Sequence, residues 1–93
     1  MSAAAGSERN PAVLIVASPT SDWAPVAERH TREEKDVVVL FTREQGSTLA
    51  RAVRERMRSL AANGTALVAI ACVGVLEIDA LRELALVAGL PLV

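Results

Sequence analysis

Four short apolar runs constrain the fold more than any other feature of the chain. Ala12-Val13-Leu14-Ile15-Val16-Ala17, Val37-Val38-Val39-Leu40-Phe41, Ala66-Leu67-Val68-Ala69-Ile70-Ala71-Cys72-Val73 and Leu90-Pro91-Leu92-Val93 are continuously apolar, and none alternates with polar residues. A strand with one face in water alternates, whereas a strand covered on both faces does not. Runs of this kind predict a parallel sheet sandwiched between helices.

The segments between the runs carry helix signals. Ser21 or Asp22 is the expected N-cap of a first helix reaching about Glu34, with Pro25 tolerable in its first turn. Ser47 or Thr48 is the expected cap of a second helix ending near Ala62, where Asn63-Gly64 supplies left-handed residues. A third helix starts near Glu77 or Asp79 and stops at Gly89, two residues before Pro91.

The expected order is therefore β-α-β-α-β-α-β. It implies a small three-layer, doubly wound (Rossmann-like or flavodoxin-like) α/β fold with a four-stranded parallel sheet in the order 2-1-3-4. Helix 1 then lies on one face, and helices 2 and 3 lie on the other. Ninety-three residues leave room for a single domain, expected over residues 11–93 behind a disordered leader, residues 1–10.

Composition excludes several classes. At 52% hydrophobic and 23% charged, the chain is neither disordered nor a coiled coil. No apolar run approaches the roughly 20 residues of a bilayer-spanning helix. Ten basic against eleven acidic residues, net charge −1, do not make a globally basic nucleic-acid binder, so neither membrane nor nucleic acid is an expected partner. One cysteine allows no internal disulfide, and the N-terminus lacks the basic and apolar regions of a signal peptide. Both point to the cytoplasm. Nine of the ten basic residues are arginine, a habit of GC-rich bacterial genomes.

In open α/β sheets, ligands bind beyond the carboxyl ends of the strands, where the strand order reverses. Here that crevice is walled by Ser18 to Trp23 and by the Cys72-Val73-Gly74 corner, with Thr42 to Thr48 alongside. Thr20, Ser21, Asp22, Arg43, Gly46, Ser47 and Thr48 form a candidate anion site, because hydroxyls there run straight into helix N-termini. Helix capping explains the same residues without a ligand. Neither Gly-x-Gly-x-x-Gly nor Gly-x-x-x-x-Gly-Lys-Ser/Thr occurs, and no cofactor is expected. A single cysteine and a single histidine provide no metal-site spacing.

Other chemistry-bearing residues have ordinary readings. Trp23 reads first as an anchor of helix 1 and second as a stacking surface. Cys72 reads as buried filler, and His30 as solvated surface among Glu28, Arg29, Arg32 and Glu33. No nucleophile, base or acid pair is expected to form, so the chain leans away from catalysis.

Partner contacts are the stronger expectation. Leu49, Val53, Met57 and Leu60 form a sheet-facing stripe on helix 2, opposite Arg51, Arg54 and Arg58, which suit an acidic protein surface. Helix 3 is apolar nearly all round, and strand 2 is an apolar sheet edge. Both features predict homo-oligomerisation through the third helix, through edge strand 2, or through both. The resulting expectation is a non-catalytic regulatory or scaffolding module. The alternative is a domain, enzymatic or not, binding a small anionic or phosphorylated ligand at the C-terminal edge of the sheet.

The stretch from Thr65 to Val93 resembles the second half of a STAS domain. It carries a strand, Val73-Gly74-Val75-Leu76-Glu77-Ile78-Asp79, then a helix and a Gly89-Leu90-Pro91-Leu92 return. Asp79-Ala80 stands where that family has its phosphorylated Asp-Ser step, and the first forty residues carry a helix where it has strands. A receiver-like fold would need paired acids after strand 1 and an aspartate after strand 3. Ser18-Pro19 and Cys72-Val73 stand there, and no family is assigned.

Overall fold

The structure, a computed structural model, describes residues 11–75 and 78–93; the expected leader lies outside them. The elements alternate strictly: β1 (Pro11–Ala17), α1 (Ala24–Arg32), β2 (Asp36–Phe41), α2 (Gly46–Ala62), β3 (Ala66–Val73) and α3 (Ile78–Ala88). The strands form one parallel three-stranded sheet in the order β2-β1-β3. Being central, β1 is shielded by a neighbour on each side and helices on each face, and Ala12 to Ala17 are fully buried. Its unbroken apolar sequence is the direct trace of that position.

Alternation along the strands sorts two cores. Leu14, Val16 and Ile70 point to one face, where Leu49 and Val53 of α2 and Leu81, Leu84 and Ala85 of α3 pack on them. Val13, Ile15, Ala17, Ala69 and Ala71 point to the other, covered by Trp23, Val26 and Ala27 from α1 and the turn before it. Between Ala12 and Val13 the β1–β3 register shifts, leaving Val68 as the extra residue.

The expected fourth strand is reduced to a single parallel bridge between Ile70 and Leu92. The Ile70 N–H donates to the Pro91 carbonyl (3.0 Å), and the Val93 N–H donates to the Ile70 carbonyl (2.8 Å). Pro91 has no N–H of its own to extend the ladder. This segment nevertheless lies along the outer edge of β3.

All three helices end in the same backbone motif, in which two N–H groups beyond the last turn reach back to carbonyls inside it. After α2, Gly64 and Thr65 bond to Ala61 and Leu60; after α3, Gly89 and Leu90 bond to Leu86 and Ala85. After α1, Glu34 and Lys35 bond to Thr31 and His30, and here the left-handed position is filled by glutamate at φ 62°. Of the Asn63-Gly64 pair only Gly64 is left-handed, at φ 81°; Asn63 sits at φ −85°.

The starts of α1 and α2 differ from expectation, whereas α3 begins at Ile78, beside the expected Asp79. α1 begins at Ala24 behind Trp23, and α2 begins at Gly46 behind Gln45, neither with a side-chain cap. Ser21 closes the preceding turn instead, its hydroxyl donating to the Ser18 carbonyl at 2.7 Å. Ser47 and Thr48 lie inside the first turn of α2, one and two residues past its start.

Candidate functional site

The C-terminal ends of the strands converge on a cavity of about 200 Å³. Ser18 follows β1, Thr42 to Gln45 follow β2, and Gly74 and Val75 follow β3, with Leu49 of α2 closing the cavity from the side. The walls are fixed by bonds that extend the sheet one residue past β1 and past β2. The Ser18 N–H donates to the Val73 carbonyl (3.1 Å), and the Thr42 N–H donates to the Ala17 carbonyl (3.0 Å). The Thr42 hydroxyl then accepts from the Glu44 N–H at 2.9 Å, which turns the chain toward α2.

Gly74 is required where it stands. Its φ is +71°, and a Cβ there would sit 2.7 Å from both Ser18 Oγ and Ser21 Cβ. The corner after β3 therefore presses its backbone against the turn after β1, and only glycine permits both the dihedral and the approach.

The structure does not gather the seven candidate anion-site residues into one place. Arg43 lines the cavity at the sheet edge. Gly46 and Ser47 line a different depression, of about 300 Å³, between α2 and α3. Thr20, Ser21, Asp22 and Thr48 line neither cavity, and the Ser21 hydroxyl is engaged within its own turn. Ser18, Thr42, Glu44 and Gln45 complete the polar lining, so the pocket offers hydroxyls, one cation and one carboxylate. At about 200 Å³ it is smaller than the roughly 300–1,000 Å³ of ordinary small-molecule sites.

Cys72 packs into the α2/α3 core, and burial pushes its thiol up to about 11, leaving it protonated at neutral pH. Trp23 is half-buried against the α1-side core and meets Phe41 edge-on, ring centroids 5.4 Å apart at 71°. Among the described residues no group of three His, Cys, Asp or Glu side chains comes together, and no helix is long and apolar enough to cross a membrane.

His30 is the clearest departure from expectation. It is 4% exposed, not solvated, and neither ring nitrogen has a hydrogen-bond partner; Glu33 Oε1 lies 3.6 Å from Nδ1. The signal was present in its spacing, because Trp23, Val26, Ala27 and His30 fall at i, i+3, i+4 and i+7, a single helical stripe. His30 stands in the last turn of α1, at the opposite end of the sheet from the cavity. The imidazole is therefore remote from Ser18 and Thr42.

α3 is less uniformly apolar than its sequence reads. Leu81, Leu84 and Ala85 are buried, and the outer side mixes Asp79, Arg82 and Glu83 with Leu86 and Val87, which are 78% and 82% exposed. No family model matches the chain, and no curated protein or solved structure is significantly similar to it.

Proposed function

We propose that the chain is a small, non-catalytic regulatory or scaffolding module of the doubly wound, Rossmann-like type, with Leu90–Val93 in the place of a fourth strand. It acts by pairing with a second copy of itself and through further protein contacts, in a bacterial cytoplasm. The observation that carries this reading is the inequality of the two sheet edges. The outer edge of β3 is bonded to the Pro91–Val93 segment, while among the described residues no strand pairs with the outer edge of β2.

Because the Thr42 N–H faces β1, alternation turns the backbone groups of Val37, Val39 and Phe41 outward. Apart from Asp36 at its start, β2 carries no charge, proline or bulge to discourage pairing, and Phe41 is 48% exposed. A two-fold axis at Val39 sets Val37 opposite Phe41 and Val38 opposite Leu40 of the copy, an isologous and wholly apolar match.

Native mass spectrometry at low micromolar concentration tests this. The wild type gives a dimer or higher mass. Val39→Pro removes one outward donor, and Phe41→Lys places a charge on the edge; each shifts the protein to monomer with its fold retained by circular dichroism. A wild-type monomer sinks the reading.

A second reading, supported by the cavity at the sheet edge, is binding of a small anionic or phosphorylated ligand at Arg43. It predicts a reproducible small-molecule adduct in the same spectra that Arg43→Ala abolishes.

A further inference from the structure

The depression between α2 and α3 has a shape and charge that the β2 edge does not explain. Its floor is apolar, Ala50 of α2 with Ala80, Leu84 and Val87 of α3, and Gly46 and Ser47 at the start of α2 close one end. Arg54 stands on the α2 rim and Glu83 on the α3 rim. Arg51, Arg54 and Arg58 fall at i, i+3 and i+7, one exposed stripe spanning about 10 Å at 1.5 Å per residue. None of the three has an ion pair with another described residue; on α3 the basic residue Arg82 pairs with Asp79, and the pairs of His30 and Lys35 with Glu33 lie at the end of α1.

We propose that this groove docks an amphipathic helix of another protein, acidic along one flank. Its apolar residues at i, i+3/i+4 and i+7 lie over Ala50, Ala80 and Val87, and its carboxylates, repeating over two turns, meet Arg51, Arg54 and Arg58. The two alanines, Ala50 and Ala80, let the helix approach closely between Leu84 and Val87. The lone acid on the far rim, Glu83, selects a base on the partner's other flank and so fixes its direction.

A nucleic acid fits less well. Gly46, Ser47 and Arg54 could meet a phosphate, but the apolar floor offers a polyanionic backbone no further contact, Glu83 on the far rim repels it, and the two aromatic residues of the chain, Trp23 and Phe41, pack against each other on the opposite side of the sheet. This proposal does not rest on self-pairing through β2.

The test uses the full chain and a fluorescein-labelled designed helix about as long as α2, with leucine at the a and d positions and glutamate along one flank. Anisotropy titration is expected to give saturable binding that weakens as salt rises. Binding should fall at least tenfold for a peptide with lysine in place of glutamate, for Arg54→Glu with Arg58→Glu, and for Val87→Glu. These variants should keep the wild-type melting temperature and the wild-type mass in native spectra. Absence of saturable binding, equal binding of the lysine peptide, or tighter binding of a labelled RNA duplex overturns the proposal. So does loss of self-association in Val87→Glu, which would assign the groove to a second copy; loss of self-association in Phe41→Lys alone leaves it standing.

Discussion

The two faces of this sheet are built on different terms. On the α2/α3 side, Leu14, Ile70, Leu49, Leu81 and Leu84 interlock between two helices. On the α1 side, Ile15 and Val13 share the surface with Ala17, Ala69 and Ala71, under one helix of nine residues. Two irregular features lie on the second side. α1 buries a histidine whose ring nitrogens lack partners, and it ends with a glutamate in a conformation suited to glycine. A face of large aliphatics is held by packing, whereas a face of small ones under a short helix has more to gain from repairing its local faults.

The largest expected effect sets adjacent residues of β1 against each other. Leu14→Ala should cost about 3–5 kcal/mol, and Ile15→Ala about 2–3 kcal/mol, because a single short helix settles onto the sheet more easily than two interlocked ones. Urea denaturation with unchanged slope checks both, and equal losses would break the comparison. His30→Leu should raise stability by about 1–2 kcal/mol by removing two buried, unsatisfied nitrogens; a lower melting temperature would show the ring to be satisfied. Glu34→Gly should add roughly 0.5–1 kcal/mol by relieving the left-handed glutamate at the end of α1.

The smallest effect lies on the α2/α3 side. The Cys72 thiol ionises near 9 when unfolded and near 11 when folded, so the unfolded state gives up its proton first. This thiol's contribution to stability is therefore constant below pH 9 and declines between about pH 9 and 11, a slope that Cys72→Ala should reduce in pH-dependent melts.

The positions of β1, β2 and β3, the helix order and the assignment of helices to faces were legible because burial on both sides leaves an unbroken apolar record, clearest in Ala12 to Ala17; the apolar run Leu90–Val93 read as a fourth strand and forms only a bridge. The starts of α1 and α2 were not legible. Serine and aspartate before an apolar stripe read as caps, but Ser21 is drawn back to the Ser18 carbonyl and Gln45 holds the N-cap position of α2. His30 was misjudged by reading its charged neighbours in sequence rather than its place on the stripe begun by Trp23. The cavity was legible as a location, from Ser18, Gly74 and the loop after β2. Its lining was not, because which loop side chains turn inward depends on the Ser18–Gly74 contact and the Thr42 turn. Both are tertiary matters.

The order β2-β1-β3 also carries a consequence for how the molecule comes into being. The strand made first is the one that ends in the middle, and its second neighbour appears only after two helices and another strand have been synthesised. At about 5–20 residues per second, a nascent β1 paired with β2 waits several seconds for β3. Throughout that interval the side of β1 that β3 will occupy is open to other chains. Polypeptides growing close together on one message therefore meet while their sheets are incomplete, and the time until Ala66–Val73 is made is when strands of two copies can be exchanged.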